Sequence, residues 1–353
     1  MKKYLLPETG NFYKANLHCH TVFSDGHFTP AEIRALYRSH GYSIVAFTDH
    51  DVLIPHPELR DETFLPLNAM EFSIRAPEGP GSFKKLPTVH LGMIAKEEDN
   101  LTMPLYHRTK YIKYHEKENR KLLAVDESEP DYERGWEVEK INETIAIAKE
   151  KGFFVIYNHP EWSLEDDTRL TRYRGLDAIE VHNSGSSASG FYESTPNHYK
   201  ALARHGIRLS PVAADDNHNE YPFDSRFNTA CRGWVQIKAE KLEYRTVTAA
   251  LEKGDFYAST GPEIHALWTE GGRLHVRCSP ADDVCICHVG GGYHHRYAGT
   301  GPVDRHGRRL FTGQEAVTEA SFPLVPERGA VILTVFDKER RWAITRFYYP
   351  EEW

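Results

Sequence analysis

The chain has 353 residues, 40% of them hydrophobic and 27% charged, and its apolar stretches are too short to cross a membrane. It therefore reads as a soluble globular protein with one large domain and a smaller one. Lys and Arg number 43 against 51 Asp and Glu, and the net charge of -8 excludes a general polyanion-binding surface of the kind duplex DNA requires.

In chain order, Met1 to Glu8 place only Leu5 and Leu6 ahead of Pro7, so the apolar core of a signal peptide is missing and the expected location is cytoplasmic. Short apolar runs at 15–18, 43–48, 65–72, 88–94, 153–158, 178–181 and 207–213 each end at a polar cluster and read as strands of an α/β domain. Between the first two, Thr29 caps a helix, Pro30 suits its first turn and Gly41 stops it. A second helix is expected over 136–151, with Val138, Ile141, Ile145 and Ala148 on one face and Gly152 at its end. Two insertions break the rhythm: 75–87, rich in Gly and Pro, and 96–135, strongly charged and carrying Tyr106, His107, His115 and Glu116. They read as a solvated face or a substrate lid. After 254–262 the chain turns to short alternating segments at 274–278, 284–289, 330–336 and 343–348, as in a small all-β domain. The expected division is thus 1–260 and 261–353. The 11 basic and 12 acidic residues of the second part leave nearly all of the negative charge to the first.

Five cysteines, Cys19, Cys231, Cys278, Cys285 and Cys287, are few and odd in number, which suits reduced thiols. The sequence Cys285-Ile286-Cys287-His288 lacks the paired CxxC spacing of a structural zinc site and reads as ordinary strand cysteines. Gly290 to Gly292 reads as a turn.

The chemistry lies in the 20 histidines. His18 and His20 end the first expected strand, where alternate residues point the same way about 6 to 7 Å apart, close enough to share a metal. Asp49 and His50 end the second, Glu71 the third, His159 the fifth and His182 the sixth; His90 lies in the fourth, and Asp216 and His218 follow the seventh. In parallel α/β folds the C-terminal strand ends converge on one face, so these distant ligands are expected to meet in one bowl.

The series His18-x-His20, Ser24-Asp25-Gly26, Thr48-Asp49-His50, Glu71, His90, Asn158-His159-Pro160 and Asp216-x-His218 resembles the PHP family, the polymerase and histidinol phosphatase domain, over about residues 14–260. The remainder resembles that family's longer subgroup with a C-terminal β domain. The resemblance implies a distorted (β/α)7 barrel followed by a small all-β sandwich-like domain, and two or three divalent metal ions. One ion would be held by His18, His20, Glu71 and Asp216, a second by Glu71, His90 and His159, and a third by Asp25, His50 and His218. Glu71 would bridge the first two, and Asp25 stands where relatives often carry His. The mixed nitrogen and oxygen donors suit Mn, Fe or Zn without choosing among them.

Clustered divalent cations carry more charge than three carboxylates neutralise, which matches a phosphate ester and activates water without a Ser or Cys nucleophile. No GxSxG elbow or Walker loop is found. The expected activity is metal-dependent hydrolysis of a small phosphorylated metabolite or nucleotide. The alternatives are a metal-dependent carboxyl-ester or amide hydrolase and a noncatalytic binding module. Asp216 and Asp25 are expected to combine ligation with orientation of water. His182 stays open between a substrate contact, a proton donor to the leaving group, another ligand and a structural histidine. Arg226, Arg172 and Arg174 are candidate phosphate contacts that also read as surface salt-bridge partners, and Asp49 and Asp215 are expected to accept imidazole N–H bonds.

Overall fold

A computed structural model describes residues 1–78, 86–194 and 196–353. Its strands, in chain order, are β1 (Lys3–Tyr4), β2 (Asn11–Asn16), β3 (Ile44–Phe47), β4 (Leu65–Arg75), β5 (Thr88–Ala95), β6 (Phe153–Tyr157), β7 (Ala178–Asn183), β8 (Ser210–Ala214), β9 (Trp234–Ala239) and β10 (Phe256–Ser259). They continue with β11 (Ile264–Glu270), β12 (Arg273–Ala281), β13 (Asp283–His288), β14 (Tyr293–Tyr297), β15 (Val317–Pro323), β16 (Val331–Phe336) and β17 (Trp342–Ile344). The helices are α1 (Pro30–Ser39), α2 (Glu116–Asn119), α3 (Val138–Glu150), α4 (Asp167–Leu170), α5 (Ser184–Ala188), α6 (Asn197–Arg204) and α7 (Tyr244–Lys253).

The two helices read from the sequence form for the reasons given. At α1 the Thr29 hydroxyl accepts from the Glu32 amide at 3.3 Å, while the Glu32 carboxylate accepts from the Thr29 amide at 2.8 Å. This reciprocal box satisfies two amides that the helix itself cannot pair. Helix α3 buries Val138, Ile141, Ile145 and Ala148, and the chain leaves it through Gly152 at a φ of 81°, where a Cβ would be strained.

All seven expected strands are present, and β9 and β10 are added to them. The large sheet runs β14-β13-β16-β17-β10-β9-β2-β3-β4-β5-β6-β7-β8. A closed barrel is not what the ladders show: among the described residues β8 and β9 are not hydrogen-bonded, so the sheet is open. Nor is it uniformly parallel. Strands β2-β3-β4 and β6-β7-β8 are parallel, whereas β5 is antiparallel to both of its neighbours. That reversal places His90, near the start of β5, at the same rim as the C-terminal ends of the parallel strands.

Beyond residue 260 a second sheet, β1-β11-β12-β15, packs against β13, β16 and β17 through Leu267, Leu274, Val276, Val284, Ile286, Phe322, Leu333 and Val335. The expected boundary at 260 falls beside a continuous ladder, because Ala258 on β10 pairs with Ile344 on β17. The N-terminus also joins this second layer, with Lys3 opposite Thr269. Of the two insertions, 96–135 returns to the body through Arg134, which ion-pairs with buried Asp51 at 2.6 Å and donates to the Ser73 carbonyl. In the other insertion, 79–85 lies outside the described residues.

Removing the α1 cap with Thr29→Ala should lower unfolding free energy by about 1 kcal/mol. Urea denaturation followed by circular dichroism measures this.

Candidate metal centre

The site forms at one rim, where β2, β3, β5, β6 and β8 end or begin and β4 passes with Glu71 inside it. Parallel bridges Cys19 to Asn217 and His50 to Glu71 tie the loops leaving these strands. In the loop carrying Asp25, a Cβ on Gly26 would lie 2.5 Å from the His20 carbonyl oxygen, so the tight return needs glycine. Asp216 takes a left-handed φ of 48°, with its amide donating to the His18 carbonyl at 3.0 Å.

Glu71 is the middle of the cluster. Its Oε1 lies 3.0 Å from His90 Nδ1, 3.1 Å from His18 Nε2 and 3.2 Å from His159 Nε2. Its Oε2 lies 2.9 Å from His50 Nδ1 and 3.5 Å from His20 Nε2. Asp216 Oδ1 sits 3.1 Å from His20 Nε2 and 3.3 Å from His18 Nε2. At the outer end, Asp25 faces His218 Nε2 at 3.3 Å and His50 Nε2 at 3.5 Å.

Four overlapping groups of donor atoms lie within 4.8 Å of one another: His20, Asp25, His50 and His218; His18, His159 and Asp216; His18, His20 and Glu71; and His50, Glu71 and His90. All nine residues singled out in the sequence fall in these groups. The third set inferred from the resemblance recurs with His20 added. The second is divided, because His90 groups with His50 and His159 with His18 and Asp216.

The donor chemistry fits cations. His18 Nδ1 lies 2.8 Å from Glu180 Oε1, and a carboxylate only accepts, so Nδ1 carries the proton and Nε2 turns its lone pair inward. Likewise His218 Nδ1 donates to the Asp216 carbonyl at 3.1 Å, leaving Nε2 toward Asp25. His18 Nε2 and His20 Nε2 are 3.1 Å apart, two nitrogens converging on one point. Among the described residues, His159 Nδ1 is buried without a hydrogen-bond partner.

Protons and cations compete for this space. Burial opposes charge on His18, but Asp216, Glu71 and Glu180 outweigh it and hold its pKa well above the ordinary imidazole value. His50 is raised in the same way by Glu71 and Asp25 against burial. Burial brings His90 down to about 4, so it is a neutral donor near pH 7. Glu71 and Asp216, although buried, are held well below the carboxylate range by the surrounding imidazoles.

The supporting residues differ from expectation. Asp49 reaches an imidazole only through Ser24, whose hydroxyl donates to Asp49 at 2.7 Å and lies 3.3 Å from His20 Nδ1. Asp215 accepts from Tyr37 and from the Cys231, Arg232 and Gly233 amides, and none of its bonds among the described residues comes from an imidazole. That role falls to Glu180, which also accepts from the His159 amide at 2.8 Å.

His182, two residues on, lies outside the cavity wall. The β7 to β8 ladder slips between Glu180 and His182, so the two do not share a face as plain alternation requires. His182 instead meets the Ser194 and Ser184 hydroxyls at 2.9 and 3.0 Å and stands edge-on to Trp342.

A cavity of about 760 Å³ opens above the cluster. Its wall includes Arg75, Lys113, Tyr114 and Trp162, none of them singled out in the sequence. Tyr114 donates to Asp25 at 3.0 Å, and Trp162 packs on His90 and His159 with ring centroids at 5.0 and 4.8 Å. The three arginines proposed as phosphate contacts are not in this wall. Arg172 pairs with Glu139 at 2.8 Å, Arg174 donates to the Thr171 and Tyr173 carbonyls, and Arg226 lies over the Phe227 ring. The first two follow α4 on the outer surface beside α3.

The sequence matches no family model and no curated protein. Among solved structures, the chain is similar to a two-domain protein from Bacteroides vulgatus ATCC 8482 described as containing a predicted PHP-like metal-dependent phosphoesterase. The identity is 14% and the TM-score 0.45, over 98% of this chain and 90% of that one. It is also similar to a protein from Bifidobacterium adolescentis ATCC 15703 provisionally assigned as a metal-dependent phosphoesterase, with 20% identity and a TM-score of 0.38 over 64% of this chain and 93% of that one. A third is an amidohydrolase from Chromobacterium violaceum with bound sulfate and no metal, at 17% identity and a TM-score of 0.35 over 58% and 87% of the two chains. At these identities and scores, the functional reading rests on the side chains themselves.

Glu180→Gln should weaken metal retention by about 10- to 100-fold, read by competition with a chromogenic chelator. Because protons on His18 and His50, both held well above the ordinary imidazole value, must leave before a cation enters, retention should be weak in acid and rise as pH increases through neutrality into the alkaline range. Metal analysis after dialysis across that range checks the sign.

Proposed function

We propose that the chain is a metal-dependent phosphoesterase acting on a small phosphorylated metabolite or nucleotide. The observation carrying this reading is Glu71 surrounded by converging imidazoles beneath a cavity whose wall bears Arg75 and Lys113. His18, His20, Asp25, His50, Glu71, His90, His159, Asp216 and His218 would hold two or three divalent ions. When bound, these supply an activated water near neutral pH and positive charge toward phosphoryl oxygens.

The chain's own residues do the rest. Glu71 faces five imidazoles with both oxygens and would hold ions together with them. Glu180 and Asn183 restrain the inner ligands: Asn183 donates to Glu180 at 2.8 Å and to Asp216 at 3.2 Å. Lys113 and Arg75 place cationic groups on the cavity wall for the nonbridging oxygens, at the rim rather than among the ligands. The Tyr114 hydroxyl, which now donates to Asp25, is placed to donate to a bound oxyanion. Trp162 covers His90 and His159 and keeps bulk water from them. Asp25 and Asp216 combine ligation with orientation of water, and His182 takes no part. A complete ligand set argues against a noncatalytic module.

The test compares p-nitrophenyl phosphate, bis-p-nitrophenyl phosphate and p-nitrophenyl acetate with Mn. Turnover of a phosphate ester supports the proposal, and a rate on acetate alone overturns it in favour of a carboxyl-ester or amide hydrolase. Asp216→Ala should remove metal and activity together. Lys113→Ala should raise KM several-fold with metal content unchanged.

A further inference from the structure

A second set of metal-ligating side chains lies in the C-terminal β layers. Asp283, Cys285 and Cys287 occupy alternate positions of β13, so their side chains share one face. His295 on β14 is the cross-strand partner of Cys285, which brings its ring to the same face. One donor atom each from Asp283, Cys285 and His295 lie within 4.8 Å of one another. His295 Nδ1 is 3.0 and 3.1 Å from the two Asp283 oxygens.

We propose that this face of the β13–β14 hairpin binds a soft divalent cation of the zinc class through Asp283, Cys285 and His295, with a water completing the four donors. The donor types are those of tetrahedral zinc sites, and a thiolate is what distinguishes this set from the histidine and carboxylate cluster of the cavity. A carboxylate and a thiolate neutralise the ion's two charges while the imidazole stays neutral. On binding, the Cys285 proton leaves to solvent and the His295 proton moves from Nδ1 to Nε2, freeing Nδ1 to ligate.

Asp283 and Cys285 are buried, whereas the His295 side chain keeps 23% of its exposure, so an ion has a way in. A disulfide is the poorer use of the two thiols. Alternate residues of an extended strand stand about 6.6 Å apart at Cα, at the far limit for such a bond. Strand β14 is the edge of the large sheet, and a cation joining it to β13 would clamp an otherwise singly paired strand.

The test uses full-length reduced protein loaded with Co²⁺. Cys19 lies between two cavity ligands but packs into the core with Ile33 and Tyr37, so a thiolate-to-cobalt charge-transfer band in the near ultraviolet reports the hairpin site. The band is expected in the unmodified protein and in Asp216→Ala, which separates it from the cavity ions, and should vanish in Cys285→Ser. His295→Ala, at a partly exposed position, should lose or shift the band and decides the matter if Cys285→Ser does not fold. No band in the unmodified protein, or a band unchanged in either hairpin variant, overturns the proposal.

Discussion

The organising constraint of this molecule is the burial of the Glu71 carboxylate. Removing such a charge from water costs several kcal/mol unless opposite charge or hydrogen bonds surround it. Here five imidazoles and the Asn158 amide, donating at 2.8 Å, turn toward its two oxygens. None of these partners is near it in sequence. The fold must bring five strands, β2 to β6, to one rim before the carboxylate is satisfied, so the cluster and the architecture specify each other.

A second layer makes the cluster directional. Glu180 fixes which nitrogen of His18 looks inward, Ser24 relays Asp49 to His20, and the Asp216 carbonyl does the same for His218. Without these partners the imidazoles could present either nitrogen. Glu193, pushed up to about 7 by burial, accepts from the Glu161 and Trp162 amides and so holds the loop that lays Trp162 over His90 and His159. The cavity's inner wall is thereby fixed by backbone bonds, while its outer wall comes from the insertion carrying Lys113 and Tyr114.

Much of this was legible in the sequence because strand ends are local features. His18, His20, His50, His159, Asp216 and His218 each follow a short apolar run, and a polar ligand beside such a run is visible without a fold; Glu71 stands out instead as the one acid inside its run, which β4 continues to Arg75. What stayed hidden depended on pairing. The bulge between Glu180 and His182 is a property of the β7–β8 ladder, so the sequence did not reveal that Glu180 is the one turned toward His18. The reversal of β5 leaves no trace in its composition. Arg75, Lys113 and Tyr114 lie at or within insertions that have no period to read. Asp283 and His295 gave Cys285 its company only once the β13–β14 register was known.

The pairing of Ala258 with Ile344 has a mechanical meaning. Strand β10 belongs at once to the sheet that carries the ligand cluster and to the strands that follow residue 260. The later strands therefore cannot swing away as an independent module without tearing a ladder. A chain cut at 260 would present β10 with one side bare, a template for foreign strands. The trailing layers are in that sense the selvedge of the ligand-bearing sheet, woven from the same cloth.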